Sequence, residues 1–236
     1  RDALVNEVIG GHGVADYGPI PPDARYFLDT SSSSSADLAA SLLTQAGWLV
    51  SSSSNFRAKT IQNTSVPLTI NLTVPDISFL VQTAQALQET WQAIGVQTTI
   101  ATDTPENIIT NAITNRDYES LLFGNVLGPS SDLYSFWDSS QRFSPGLNLA
   151  IYQNKKVDSL IESARVNLSD ASRTAEFAAA QQDIVADNPA LFLFSPDYLY
   201  VTDKNVQGIT PGLLAVPSDR LRESLGWYLN TARVLK

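Results

Sequence analysis

The chain has 236 residues, of which 43% are hydrophobic and 17% charged, so it is long enough to bury a sizeable core. Its net charge of −9 argues against a nucleic-acid binder, because such proteins gain affinity from clustered Lys and Arg. The absence of Cys excludes disulfides, thiolate nucleophiles, iron–sulfur clusters and cysteine-based zinc sites.

The first four residues, RDAL, have the pattern of a helix already under way, and the chain contains no Met. We therefore expect a fragment of a longer polypeptide. No apolar run reaches 18 residues, so the sequence predicts no transmembrane helix. The glycines around His12 follow this helix, whereas a nucleotide-binding fingerprint follows a strand, so we interpret residues 10–13 as a loop.

Two serine tracts, residues 31–35 and 51–54, are predicted to be solvated loops on either side of a short helix. Ser34 and Asp37 fit a capping box at the start of this helix, and Gly47 is a natural stop. Its predicted apolar face consists of Leu38, Leu42, Leu43 and Ala46.

From Val66 onward the hydrophobic pattern predicts a β-α-β-α-β unit. Residues 68–74 alternate as in a half-buried strand, and residues 80–94 have an apolar helical stripe that ends at a glycine. A second strand is predicted over 96–102, a second helix starts at Thr104-Pro105, and a third strand spans 120–124. Crossovers of this length favour parallel strands with helices on the sheet faces.

The second half of the chain is predicted to be more helical. One helix spans residues 155–168, and a longer one starts at Ser169 or Asp170 and runs to about Asp187. Residues 190–194 and 198–201 are strongly apolar and are predicted to form strands. The chain beyond Gly208 is predicted to be irregular.

The segment after the third strand is the candidate binding site. In parallel α/β sheets, ligands bind outside the carboxyl ends of the strands, which here means residues 124–132. Residues 133–137 then add three aromatic side chains beside small polar ones, as in a small-molecule cleft. An alternative is that Phe136 and Trp137 are ordinary core residues.

A hydrolase is a second interpretation of the same segment. Asp132 and Asp138 are a candidate carboxylate pair for glycoside hydrolysis, although solvated surface carboxylates are commoner. A Ser–His–Asp mechanism is disfavoured, because the single histidine lies in a glycine-rich loop and no Gly-x-Ser-x-Gly motif occurs.

Several motifs occur in a fixed order along the chain. They are R-x-A-L and G-P-x-x-P within 1–22, L-L-x-x-A-G-W at 42–48, R-D-Y-E-x-x-L-x-G at 116–124, and N-x-x-x-Y-x-N-x-x-V-D-x-L-I at 148–161. With the helix over 173–189 and the Gly-Trp-Tyr at 226–228, they resemble the later half of the family-5 extracellular solute-binding proteins. These proteins are the peptide, nickel and oligosaccharide receptors of ATP-binding cassette (ABC) importers.

The resemblance implies an α/β fold, namely the carboxyl-terminal lobe of a type II periplasmic-binding-protein-like (Venus-flytrap) fold, with a mixed, mostly parallel sheet flanked by helices. Residues 1–202 would form the second, ligand-binding lobe of the full receptor. Residues 203–236 would form a tail that packs on the first lobe, with apolar surface around Leu225 and Trp227. Asn148, Tyr152 and Asp158 would be fold determinants rather than ligand contacts.

The resemblance also implies a function. The receptor would capture a small solute between two lobes, by family precedent an oligopeptide, and deliver it to an ABC permease. It would not be an enzyme, would use no cofactor or metal, and would lie outside the cytoplasm as a lipoprotein in its full-length form. A sensing receptor without transport is a further alternative. The implied ligand contacts are Tyr17, Asn125, Leu127, Ser130, Asp132, Tyr134 and Trp137.

Two positions depart from the peptide-binding members of the family. Pro129 stands where those members have an Asp that pairs with the amino group of the peptide, and Asn125 stands where they often have an aromatic residue. A buried ammonium needs a partner charge, for which Asp132 is the alternative carboxylate. An oligosaccharide receptor is the rival prediction, in which Asn125, Tyr134 and Trp137 face the cleft.

Overall fold

The structure is a computed structural model that describes residues 1–31, 35–51, 54–128, 130–210, 214 and 216–229. The chain opens with α1 (Asp2–Ile9), β1 (Gly13–Ala15), α2 (Ala36–Gln45) and β2 (Leu49–Val50). Ser35 caps α2, because its side chain accepts a hydrogen bond from the N–H of Leu38. Ser34, the predicted cap, lies outside the described residues. The predicted apolar face of α2 is left open, since Leu38 and Leu42 are both more than half exposed.

An antiparallel hairpin that the sequence did not predict follows. Its strands, β3 (Arg57–Ile61) and β4 (Thr64–Pro67), are joined by Gln62 and Asn63, which both have positive φ. β2 pairs with β3 on the other side. Arg57 is buried and donates hydrogen bonds to the carbonyl oxygens of Ile94 and Trp48, so the hairpin is attached to the helix that follows.

The predicted β-α-β-α-β unit is confirmed. It contains β5 (Thr69–Pro75), α3 (Ser78–Ala93), β6 (Gln97–Asp103), α4 (Pro105–Asn107, continuing as a π-helix over Ile108–Ile113) and β7 (Ser120–Leu121). The strand order is β6-β5-β7, and both pairings are parallel. β7 is shorter than predicted, because only Ser120 and Leu121 pair with β5 and the chain then leaves the sheet. Leu72 and Val74 of β5 pack with Leu80 and Ala84 of α3 in a small core.

The second half supplies a larger core. Its elements are α5 (Tyr134–Trp137), α6 (Lys155–Val166), α7 (Asp170–Asp187), β8 (Phe194–Pro196), β9 (Val206–Gln207) and β10 (Tyr228–Leu229). Asn154 caps α6 and Ser169 caps α7, so both predicted helices are confirmed. The buried faces of α6 and α7 meet, with Val157, Ile161, Phe177 and Ile184 almost fully buried. No helix among the described residues combines the length and apolar character that crossing a bilayer requires.

The two strands predicted around Pro196 are wrong. The observed strand β8 begins at Phe194 and pairs antiparallel with β1. Residues 198–201 form no strand, and their side chains are exposed, so their apolar pattern does not reflect burial in this chain. Beyond them, β9 and β10 pair with each other, and Leu225 is fully exposed.

Candidate functional site

The order of the strands in the central sheet predicts where a ligand would bind. From the central strand β5 the chain crosses to β6 on one side, and it then returns past β5 to β7 on the other side. In doubly wound sheets of this order, ligands bind where the crossovers diverge, at the carboxyl ends of the strands. Asp76 and Ile77 follow β5 at this point, and residues 122–125 follow β7. The fold therefore places the candidate site between these two strand ends.

The segment after β7 is open. The N–H of Leu122 donates to the carbonyl oxygen of Thr73, which is the last backbone contact with β5. Phe123 and Asn125 are exposed, and Val126 is 60% exposed. The N–H groups of residues 123–127 donate to no other described residue. The segment thus presents backbone donors that no described residue accepts, together with exposed apolar side chains, at the carboxyl ends of the strands.

Several predicted contacts fall on this edge, but not all of them have the same environment. Asn125 and Ser130 are exposed, whereas Leu127 is half-buried against the larger core. Pro129 lies outside the described residues. The sequence does not point to Asp76 and Ile77, because the strand order that brings the end of β5 beside β7 cannot be obtained from it.

The carboxyl edge is acidic near β6. The backbone N–H of Asp76 donates to the carbonyl oxygen of Asp103 at 2.7 Å. The Oδ1 of Asp103 accepts hydrogen bonds from the N–H of Thr104 and the side-chain amide of Asn107, which fixes this carboxylate at the start of α4. Among the described residues, no group of three or more His, Asp or Glu side chains is arranged to hold a metal ion.

Asp132 and Tyr134 are joined through an arginine of α6. The Oδ2 of Asp132 lies 3.1 Å from the Nε of Arg165, and the Oδ1 accepts from the N–H of Tyr134 at 3.1 Å. The Arg165 guanidinium lies over the Tyr134 ring, 4.2 Å from its centroid. One face of this ring is therefore covered by a cation.

Asp138 belongs to the interior. Its side chain is 2% exposed, and its Oδ1 accepts hydrogen bonds from the N–H and the hydroxyl of Ser140. It caps the short 3₁₀ helix Ser139–Gln141. Since Asp132 is ion-paired and Asp138 is buried, the two carboxylates predicted for hydrolysis do not form an open pair.

The remaining two predicted contacts lie elsewhere. Trp137 is 5% exposed and packs against the rings of Tyr152 and Phe192, so it is a core residue in this chain. Tyr17 lies beneath the guanidinium of Arg1 and lines a cavity of about 60 Å³ next to Phe192. Trp137 is therefore a core residue, as the alternative interpretation predicted. Tyr17 lies beside the connection between α7 and β8.

Comparison with known proteins identifies the family. Residues 1–144, more than half of the chain, match the sequence model of the bacterial extracellular solute-binding proteins, family 5, middle region. The chain belongs to this family. The resemblance predicted from the motifs is thereby confirmed.

The chain is similar to parts of several longer proteins. Protein XP55 of Streptomyces lividans is 29% identical over 216 residues, which cover 90% of this chain and 38% of that protein. The oligopeptide-binding protein AppA of Bacillus subtilis, solved with a nonapeptide, has a TM-score of 0.77 at 21% identity over 98% of this chain and 45% of its own. A periplasmic oligopeptide-binding protein of Thermotoga maritima, solved with mannohexaose, has a TM-score of 0.74 at 13% identity over 88% of this chain and 41% of its own. The chain thus spans less than half the length of these proteins.

The structural likeness also confirms the predicted fold class. These structures are type II periplasmic binding proteins, and the described residues form a mixed α/β unit consistent with one lobe. The three strands of the central sheet are parallel, and the flanking pairs β1–β8, β2–β3–β4 and β9–β10 are antiparallel.

Proposed function

We propose that this chain forms one wall of the binding cleft in a receptor that captures an oligopeptide outside the cytoplasm and delivers it to an ABC permease. The observation that carries the proposal is the open backbone of residues 123–127 at the switch point of the sheet. Family membership supports the receptor role, and the nonapeptide bound to AppA supports the class of ligand.

The open segment has the properties that peptide recognition needs. An extended peptide binds an exposed strand edge through main-chain hydrogen bonds, and neighbouring side chains then set its preference. The N–H groups of residues 123–127 supply donors, while the exposed Phe123 and Val126 supply apolar contacts. Ile77 is exposed at the end of β5 and adds a further apolar contact. This edge therefore favours a ligand with a repeating backbone of donors and acceptors.

Capture would act through a population shift. A ligand that contacts both lobes stabilises the closed form, and the permease distinguishes the closed form from the open one. No turnover of the ligand is part of this proposal, because Asp132 and Asp138 are both engaged in structural contacts. A lipid anchor in the full-length protein remains part of the proposal on family precedent.

The tail is the proposed contact with the rest of the receptor. Within residues 203–229, Leu221 is about half exposed, Tyr228 and Leu229 more than half, and Leu225 fully exposed. Apolar surface of this kind is usually covered by another part of a protein. We assign residues 1–202 to the ligand-binding lobe and 203–236 to a tail that packs on the first lobe.

An oligosaccharide is the second candidate ligand, favoured by the mannohexaose bound to the Thermotoga maritima relative. Sugar recognition uses the open faces of aromatic rings. In this chain, the indole of Trp137 is buried and one face of Tyr134 is covered by Arg165. The aromatic wall that this prediction required is therefore largely absent from the described residues.

The proposal is tested by calorimetric titration of the chain, first with peptides of two to six residues and then with mannohexaose. Two variants at one position separate backbone from side-chain contacts. Val126→Pro removes the N–H donor and replaces the valine side chain with an apolar ring, whereas Val126→Ala keeps the N–H and removes most of the side chain. We expect peptide affinity to fall about tenfold further in the proline variant than in the alanine variant. Binding of mannohexaose alone, or equal affinities of the two variants, would contradict the proposal.

A further inference from the structure

The outer edge of the central sheet is open at β6. This strand comes first in the order β6-β5-β7, so only one of its sides pairs with another described strand. It is seven residues long and pairs with β5 along its whole length. The strand at the opposite edge, β7, has only two residues. A long, regular, open edge is a place where another chain can add a strand.

Contacts at the two ends of β6 show which of its backbone groups are unpaired. The N–H of Gln97 donates to the carbonyl oxygen of Leu68 at 2.9 Å. The carbonyl oxygen of Asp103 accepts from the N–H of Asp76 at 2.7 Å. Since alternate residues of a parallel strand bond to the same neighbour, the odd-numbered residues of β6 bond to β5. The even-numbered residues direct their N–H and C=O groups away from β5. They are Thr98, Ile100 and Thr102.

The edge has little of the protection that is usual in natural sheets. Edge strands are commonly blunted by Pro, Lys or a bulge. The sequence of β6, QTTIATD, contains neither Pro nor Lys, and its register with β5 is unbroken. One outward group is engaged, because the side-chain amide of Gln88 donates to the carbonyl oxygen of Thr98 at 2.7 Å. This oxygen has two lone pairs and can accept a second hydrogen bond.

The edge is complementary to itself. Ile100 is the middle residue of β6 and one of its outward-facing residues. In an antiparallel pair centred on Ile100, this residue lies opposite its own counterpart, and Thr98 lies opposite Thr102. The outward N–H and C=O groups of each copy then meet partners on the other. Asp103, the one charged residue in the sequence of β6, lies opposite Gln97, so no two carboxylates face each other.

We propose that two copies of this chain associate through β6 and join their central sheets. Antiparallel pairing reverses the strand direction, so the carboxyl ends of β5 and β7 in the two copies lie at opposite ends of the joined sheet. The candidate binding edge stays open in both copies, and the proposal does not depend on peptide capture. Because one strand pair buries little surface, we expect weak association, with a Kd of about 100 µM.

The test is analytical ultracentrifugation of the 236-residue chain over a concentration range of about 10 to 500 µM. Thr102→Pro removes an outward N–H that β5 does not use, and proline is tolerated at such edge positions. We expect this variant to associate about tenfold more weakly, since the hydrogen bond is lost twice in a two-fold dimer. Thr102→Ala is the matched control, because it keeps the N–H and should associate as the wild-type chain does.

Two pairs of surface substitutions test the register. Thr99 and Ala101 are exposed, and each would lie opposite the other across the interface. Thr99→Lys combined with Ala101→Glu brings opposite charges together, whereas Thr99→Lys combined with Ala101→Lys brings like charges together. We expect the first double variant to associate about tenfold more tightly than the second. Equal Kd values for the two would contradict the register.

Amide hydrogen exchange of the wild-type chain locates the interface without any substitution. The N–H groups of Ile100 and Thr102 should exchange more slowly as the chain concentration rises, while the N–H of Thr99, which faces β5, should not change. A monomer at every concentration would overturn the proposal. So would a dimer that leaves these amides unprotected, which would indicate another surface, such as the tail around Leu225. Protection that requires added Ala-Ala-Ala-Leu would assign the edge to a peptide instead. If Thr102→Pro does not fold, the charge pairs and the exchange rates decide.

Discussion

Asn148 and Tyr152 are linked by two hydrogen bonds that close the loop before α6. The Nδ2 of Asn148 donates to the carbonyl oxygen of Tyr152, and its Oδ1 accepts from the N–H of Tyr152, both at 3.0 Å. The same Nδ2 donates to the carbonyl oxygen of Asp138. Asn148 is fully buried, so this side chain replaces the backbone partners that the loop lacks. The interpretation of Asn148 and Tyr152 as fold determinants agrees with these contacts.

Replacing Asn148 with Ala should destabilise the chain by about 3 kcal/mol, because three buried polar groups lose their partners. Urea unfolding followed by circular dichroism measures the change. Asn125→Ala is the control, since Asn125 is exposed and its loss should change the free energy of unfolding by less than about 0.5 kcal/mol. Equal unfolding midpoints for the two variants would show that the buried amide is dispensable.

Acid should weaken the contact between Tyr152 and Asp187. The phenol donates to the Oδ2 of Asp187 at 2.6 Å, and this hydrogen bond is the main cause that holds the pKa of Asp187 below its ordinary value of 3.8. A lowered carboxyl pKa contributes stability that is present above the ordinary value and is lost as pH falls through the folded value. We expect Tyr152→Phe to lower the thermal midpoint more at pH 7 than at pH 2.

Tyr118→Phe is the control for this pH dependence. The hydroxyl of Tyr118 donates to the carbonyl oxygen of Leu149, which does not titrate. Its loss should therefore cost the same stability at both pH values. A pH-independent cost for Tyr152→Phe as well would mean that the ionised carboxylate of Asp187 adds nothing to its hydrogen bond.

Asp16 should show the opposite pH dependence. It is buried beside β8, where burial raises its pKa above 3.8 although the Ser195 hydroxyl donates to its Oδ2. A raised carboxyl pKa contributes stability below the ordinary value that is lost as pH rises through the folded value. Asp16→Asn should therefore raise the thermal midpoint at pH 7, and the gain should shrink near pH 3. A fall of the thermal midpoint by the same amount at both pH values would contradict this account. Asp23→Asn is the control, because Asp23 is exposed.

Gly95 allows the close contact between α3 and the hairpin. It has φ of +89°, and a Cβ at this position would lie 2.8 Å from the Cγ of Arg57. Gly95→Ala should cost about 3 kcal/mol, because the backbone is strained and the buried arginine must move. Gly124→Ala is the control, since a Cβ there has no neighbour within 4 Å. Denaturant unfolding of both variants measures the difference, and equal stabilities would contradict the predicted clash.

The elements that the sequence predicted well are those with one strong periodicity. β5, α3 and β6 have regular apolar patterns, and their ends are marked by a glycine and a proline, so their type and order were predictable. The hairpin β3–β4 was not predictable in this way. Its buried residue is Arg57, whose side-chain hydrogen-bond partners lie 9, 13 and 37 positions away in the chain. A charged residue in a short polar stretch favours a surface interpretation.

The candidate site was only partly predictable for a related reason. The general rule about strand ends selects residues 124–132, and the described residues 122–125 directly follow β7. The surroundings of each side chain depend on distant partners. Trp137 packs on Phe192, and Tyr134 is covered by Arg165, and neither contact has a signal in the local pattern.

The most direct test of the proposed binding edge is an NMR map of the amides that respond to a peptide. The ¹⁵N-labelled chain is titrated with Ala-Ala-Ala-Leu up to about 10 mM, a range that detects the weak binding expected of a single lobe. The account predicts that the largest shifts fall on residues 76–78 and 122–128, at the ends of β5 and β7. Shifts confined to other parts of the chain, or none at the highest concentration, would contradict it.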